Sequence, residues 1–320
     1  MALLLASLAW ALPEVSEARL EADLRVLVGR DPTPSGDHIE SRSVFHPGVD
    51  LAATWLVHAF VETGVEPQLQ SFEAVGEAGL VNIVVDLPGA DPELPPLVVA
   101  AHYDSTASLS EGWEATLDPA PGADDDASGV VVLLELARLL QELPLRRSVR
   151  LIAFSAEEVG LVGSEVYVEE LVAAGGEVQL ALVLDPVGYN PGDVLWFVWN
   201  DASEEDALAL QATGELVDGL EVLGVDEALI GGDQRSDHAP FWAAGFPALH
   251  IGSYPQPPSY HTLEDDLEVV DTAFLTRVAT VVLHHVVAEA DTVEEPDAVG
   301  CGAAAGVWWL PLVVLARRRA

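Results

Sequence analysis

The 320-residue chain contains no lysine, and its 13 basic residues are all arginine. Against them stand 53 acidic residues, for a formal charge of −40. Such a chain has almost nothing with which to build the basic face that neutralises phosphates, which excludes a nucleic-acid binder. Cysteine occurs once, at Cys301, so no disulfide forms within the chain and no thiolate-rich zinc site is available. There is no Gly-x-Ser-x-Gly segment, which argues against the nucleophile elbow of a serine hydrolase. What is present is apolar: 50% of residues are hydrophobic and 21% charged, enough for a sizeable core and unlike a disordered chain. The acidic excess has two readings. One is a well-solvated, salt-tolerant surface; the other is a negative field that draws cationic substrates, such as peptides with a free amino terminus.

Both ends carry features of addresses. Residues 3–12 form a short apolar run, and Ala9-Trp10-Ala11 fits the small-x-small pattern of a signal-peptidase site, which predicts a cleaved leader over residues 1–11. The run is too short to span a bilayer as a helix. At the other end, residues 289–300 read as an acidic linker. Cys301, a patch of small residues, an apolar stretch at 307–316 and Arg317-Arg318-Arg319 follow. The positive-inside rule would leave those arginines on the cytoplasmic side. The order of cysteine, apolar stretch and arginines over 301–320 resembles the C-terminal envelope-sorting tails of the myxobacterial type. That resemblance implies export to the cell envelope or surface, with a transient membrane contact through the tail.

Between the ends the hydrophobic period alternates. Helical spacing is expected over 50–63, 128–143, 161–174, 204–216 and 271–289, with Gly64, Pro144 and Gly175-Gly176 as stops. Strands are expected over 68–72, 81–87, 97–101, 149–154, 180–184, 194–199 and 248–251. Several are continuous apolar runs, as in strands buried on both faces. The pattern predicts a three-layer α/β sandwich, a largely parallel mixed central sheet with helices on both faces, within one domain over 12–288. Ligands in such sheets bind beyond the carboxyl ends of the strands.

Those ends are where metal-binding residue types collect. The strand at 97–101 runs into His102-Tyr103-Asp104, the one at 149–154 into Ser155-Ala156-Glu157-Glu158, and the one at 180–184 into Asp185. Asp124-Asp125-Asp126 precedes a helix, and Ser259-Tyr260-His261 follows the last strand. Singly, each has an ordinary explanation: a surface pair, a solvated face, a helix cap. Together at one sheet edge they suit a divalent cation, because imidazole and carboxylate oxygen are zinc ligands. Asp104 lies where it could accept the other ring N–H of His102. Adjacent Glu157 and Glu158 allow one carboxylate to bind metal while its neighbour stays free as a base.

The ordered set His102-Tyr103-Asp104-Ser105, Gly122-Ala123-Asp124-Asp125-Asp126-Ala127-Ser128-Gly129, Ala156-Glu157-Glu158-Val159-Gly160, Leu184-Asp185, Ser236-Asp237-His238 and Tyr260-His261-Thr262 resembles the bacterial co-catalytic di-zinc aminopeptidases, relatives of glutamate carboxypeptidase and glutaminyl cyclase. It spans roughly residues 20–290. The resemblance implies two zinc ions, although the donors admit other divalent metals. It implies Asp125 bridging them, His102 and Asp185 completing one site, and Glu158 and His261 the other. It further implies Glu157 as general base, Asp104 behind His102, a cis peptide at Asp125-Asp126, and peptide substrates with a free N-terminus. Two alternatives remain on the same fold: a glutaminyl cyclase-like single-zinc enzyme, and a non-catalytic surface or binding domain. The chain departs from some secreted members by lacking a cysteine pair at 231–235. There Arg235 is open to two roles, a substrate-anion contact or an ion pair. Trp113 is expected at a pocket mouth or over the core, and His58 and His284-His285 are expected to be structural.

Overall fold

The computed structural model describes residues 12–292. The expected leader at 1–11, the linker from 293 onward and the sorting tail at 301–320 lie outside the described residues. Among the described residues, eight strands are interspersed with eight α-helices. The strands are β1 (Gln68–Ala74), β2 (Glu77–Leu87), β3 (Leu97–His102), β4 (Val149–Phe154), β5 (Leu180–Leu184), β6 (Val194–Trp199), β7 (Glu221–Asp226) and β8 (Ala248–Gly252). The helices are α1 (Glu17–Leu27), α2 (Gly48–Thr63), α3 (Gly129–Leu140), α4 (Val162–Ala173), α5 (Glu204–Gly214), α6 (Glu227–Ile230), α7 (His238–Ala243) and α8 (Thr272–Ala290).

One mixed sheet holds all eight strands in the order β1-β2-β4-β3-β5-β8-β6-β7. The central four, β4, β3, β5 and β8, run parallel, whereas β2 reverses against β4 and β6 against β8. The two-sided burial of the central strands comes straight from their composition. In β3, Leu97, Val99 and Ala101 join the large core under α1, α2, α3 and α8, while Val98 and Ala100 point the other way, to Tyr167 and Phe241 of α4 and α7. Successive side chains in a strand alternate faces, so a run without polar residues needs a helix layer on each side.

Sequence patterning and structure differ at a few places. The helix expected over 128–143 is regular only from Gly129 to Leu140, because Pro144 disfavours helical backbone at Leu143. Helix α1 was not expected, yet Ser16 caps it and Leu20, Leu24 and Leu27 bury one face of it. Strand β7 also lacks a signal in the sequence: it carries Gly224 in its middle, and only Val222 is buried. The expected domain edge at 288 lies inside α8. The chain continues to pair beyond it: the N–H groups of Arg146 and Arg147 donate to the carbonyls of Asp291 and Ala290.

Candidate metal centre

Parallel pairing of β3 with β4 and β5 brings three strand ends to one edge. His102 pairs in register with Phe154, so the turn carrying Glu157 and Glu158 begins beside it, and Asp185 follows the end of β5. Gly122, with left-handed backbone (φ 53°), leads into the irregular wide turn Ala123–Ser128, where Asp125 and Asp126 leave helical geometry and are joined by a cis peptide. The loop after β8 returns His261 to the same edge.

All five expected ligands converge. His102 Nε2 is 3.1 Å from Asp125 Oδ1 and 3.6 Å from Asp185 Oδ1. His261 Nε2 is 3.0 Å from Asp125 Oδ2 and 3.2 Å from Glu158 Oε2. Each trio, His102-Asp125-Asp185 and Asp125-Glu158-His261, offers ligand atoms within 4.8 Å of one another. The two oxygens of Asp125 therefore face two different histidines. Two ligand atoms on one tetrahedral zinc, each about 2.0–2.1 Å away, stand roughly 3.4 Å apart, so these separations suit a shared ion.

Protonation agrees with that fit. His102 Nδ1 lies 3.1 Å from the backbone oxygen of Asp104, which can only accept. That nitrogen therefore carries a proton, and Nε2 is the ring atom left to bind a cation beside Asp125 and Asp185. Asp125 Oδ2 and Glu158 Oε1 are buried without accepting a hydrogen bond. Burial pushes Glu157 and Glu158 well above the usual carboxylate range, with neighbouring acids adding to the effect. Burial disfavours a charged Asp125, but the two imidazoles that face it, those of His102 and His261, outweigh that effect and hold its carboxyl low. So many buried acids, with no arginine bonded to them directly among the described residues, form a setting suited to a cation.

Asp104 corrects its expected role. Its carboxylate comes no closer than 3.7 Å to His102 Nδ1; the ring is held by its main-chain oxygen instead. The carboxylate accepts the backbone N–H groups of Glu157 and Glu158, at 3.1 and 3.2 Å. It thus fixes the turn that presents both glutamates. Asp126 does the same for another part of the site, accepting from the N–H of His102 (3.1 Å) and of Gly129 (3.0 Å).

Three supports went unread in the sequence. Asp265 accepts the N–H groups of Asp124 and Asp125 at 3.0 and 3.1 Å. Arg42 is fully buried and donates to the carbonyls of Leu27, Tyr103, Pro121 and Gly122, binding the loops around the site to one another. Asp233 holds His250 Nδ1 at 2.7 Å, while His250 Nε2 donates to the carbonyl of Asp185 at 2.9 Å. The only legible signal for Asp265 was its place in an acidic run after His261; nothing marked Arg42. Asp237 is buried and accepts from Ser164, and His238 stacks on His250 at 4.5 Å. His58 is exposed; His285 is buried in the core, away from the site.

Two cavities flank the centre. The larger, about 510 Å³, opens beside Asp185 and is walled by Trp196, Phe197, Val225, Ile230 and Tyr254, with Arg235 among its lining residues. The smaller, about 210 Å³, lies beside Glu158 and is lined in part by Trp113, whose Nε1 donates to the carbonyl of Pro119.

The chain is 33% identical to aminopeptidase YwaD of Bacillus subtilis over 194 residues, 58% of this chain and 39% of that protein, so it spans well under half of that relative's length. Its fold matches the LapA aminopeptidase of Legionella pneumophila, with a TM-score of 0.71 and 22% identity over 88% of this chain and 73% of that one. It also matches a glutaminyl cyclase of Porphyromonas gingivalis, with a TM-score of 0.68 and 22% identity over 85% and 98% of the two chains. The sequence model of peptidase family M28 matches residues 82–286, a span that holds His102, Asp104, Asp125, Glu157, Glu158, Asp185 and His261. The chain belongs to peptidase family M28.

Proposed function

We propose that the protein is an exported two-zinc aminopeptidase that hydrolyses the first peptide bond of peptides with a free amino terminus. The observation that carries this reading is the split of Asp125, one oxygen 3.1 Å from His102 and the other 3.0 Å from His261. His102, Asp125 and Asp185 would hold one zinc, and Asp125, Glu158 and His261 the second. When bound, the ions supply Lewis-acid polarisation of the scissile carbonyl and acidify the attacking water.

The chain's own groups do the rest. Glu157 sits at the mouth of the cluster, 4.0 Å from His102 Nε2, with its backbone pinned by Asp104. Its carboxylate takes the proton of the attacking water and returns it to the departing amine nitrogen. The 510 Å³ cavity beside Asp185 receives the side chain of the first residue. Neighbouring carboxylates favour the free α-amine of that residue, a group that an internal peptide bond lacks.

Completeness of both ligand trios favours this reading over a single-zinc cyclase and over a binding domain that retains only the fold. Export rests on the leader-like start and the cysteine, apolar and arginine order at the end. The test is hydrolysis of leucyl-p-nitroanilide against its N-acetylated form by the zinc-loaded protein, with Glu157→Gln as control. Only the free-amine substrate should be cleaved. Cleavage of the blocked one, or full activity in the control, would overturn the proposal.

A further inference from the structure

The side-chain cavity is apolar along most of its wall, yet it holds one guanidinium in a protein where arginine is scarce. Trp196, Phe197, Val225, Ile230 and Tyr254 give it a large greasy surface, and about 510 Å³ exceeds what a leucine side chain fills. Arg235 lines it too. Its placement is fixed from below. Nε donates to Asp233 Oδ1 at 2.9 Å, and Asp233 is fully buried, with its second oxygen bonded to His250. His250 in turn is anchored on the carbonyl of Asp185. This chain of contacts ties the arginine to the wall of the metal centre. The bond to Asp233 is an ion pair, and it is made by Nε alone. Among the described residues nothing accepts from Nη1 or Nη2, and the side chain remains 61% exposed.

We propose that Arg235 makes this cavity selective for a first residue whose side chain has an apolar stem and a terminal carboxylate or amide oxygen, glutamate being favoured. This deepens the aminopeptidase reading and rests on it. The methylenes of such a side chain would lie along Trp196 and Val225, and its terminal oxygens would accept from the unused Nη edge. A lysine at the first position would meet the guanidinium and be rejected.

The experiment compares kcat/KM for glutamyl-, glutaminyl-, leucyl- and lysyl-p-nitroanilide in wild-type protein, Arg235→Met and Arg235→Lys. The expected wild-type order is glutamyl and glutaminyl above leucyl, with lysyl last. A charge-assisted hydrogen bond corresponds to roughly 10–100-fold, so the glutamyl-to-leucyl ratio should fall by about that factor in Arg235→Met. Arg235→Lys should keep part of it. A ratio unchanged by Arg235→Met, or a wild-type preference for lysyl, overturns the selectivity while leaving the aminopeptidase reading intact. An effect of Arg235→Met that appears only between leucyl dipeptides and their C-terminal amides would place the guanidinium on the peptide carboxylate and also overturn it. No hydrolysis of any of the four substrates would overturn both.

Discussion

Asp104→Asn tests how the glutamate turn is held. The native carboxylate is fully buried and accepts two backbone N–H groups, from Glu157 at 3.1 Å and Glu158 at 3.2 Å. Asparagine retains one oxygen, and its NH2 group must then face the other N–H donor. The variant therefore loses one charge-assisted bond and leaves a buried donor unpaired, a cost of about 1.5–3 kcal/mol. That cost falls on the two residues assigned as base and metal ligand. Expressed as rate, it predicts a kcat lower by about 10–100-fold, because 1.4 kcal/mol is tenfold. Zinc affinity should weaken by a similar factor, the usual effect of removing a partner behind a ligand. KM should move much less, since Asp104 lines no part of the larger cavity. Steady-state kinetics on leucyl-p-nitroanilide, with a zinc-buffered titration of activity, reads both quantities. A kcat within about twofold of wild type, with unaltered zinc affinity, would refute the assignment of Asp104 to the turn.

Glu157→Gln should bind zinc as wild type does and lose about 10²–10⁴-fold in kcat, checked by metal analysis and kinetics on one preparation. Gly129→Ala should destabilise the fold by about 1–3 kcal/mol in denaturant melts, because the added methyl would sit 2.6 Å from Asp126 Oδ1 and 2.9 Å from Ala101 Cβ. Burial pulls His285 down to about 4 from an ordinary 6.5. The unfolded chain therefore binds the extra proton between these values, so this group's contribution is complete above pH 6.5 and is lost as pH falls toward 4. The loss is about 3 kcal/mol, and a His285→Leu variant should show a flatter Tm against pH over that window. Chelation of zinc should lower Tm as well as activity, and re-addition of zinc should restore both, because an ion bound only by the folded state stabilises it by mass action.

The catalytic edge was readable because its residues sit at strand ends, and strand ends are marked by apolar runs. His102 and Asp185 follow such a run directly, and Glu157 and Glu158 come within four residues of one. The sheet that gathers them was legible for the same reason, down to the bounds of β4, β5 and β6. What stayed hidden works through the backbone. Arg42 bonds only carbonyl oxygens, and Asp265 only N–H groups, so no complementary side chain announces either one. Asp104 stood in the right motif, but sequence spacing could not tell its carboxylate from its carbonyl as the partner of His102. The long separation of Asp233, His250 and Asp185 likewise concealed their contact until the fold brought β5 and β8 side by side.

If Asp125 joins two cation sites, zinc bound per chain at saturation counts them both. Elemental analysis of zinc-loaded, dialysed protein should give about two ions per chain for wild type and clearly fewer for Asp125→Ala. One ion or none in the wild-type protein would rule out a carboxylate shared between two cations.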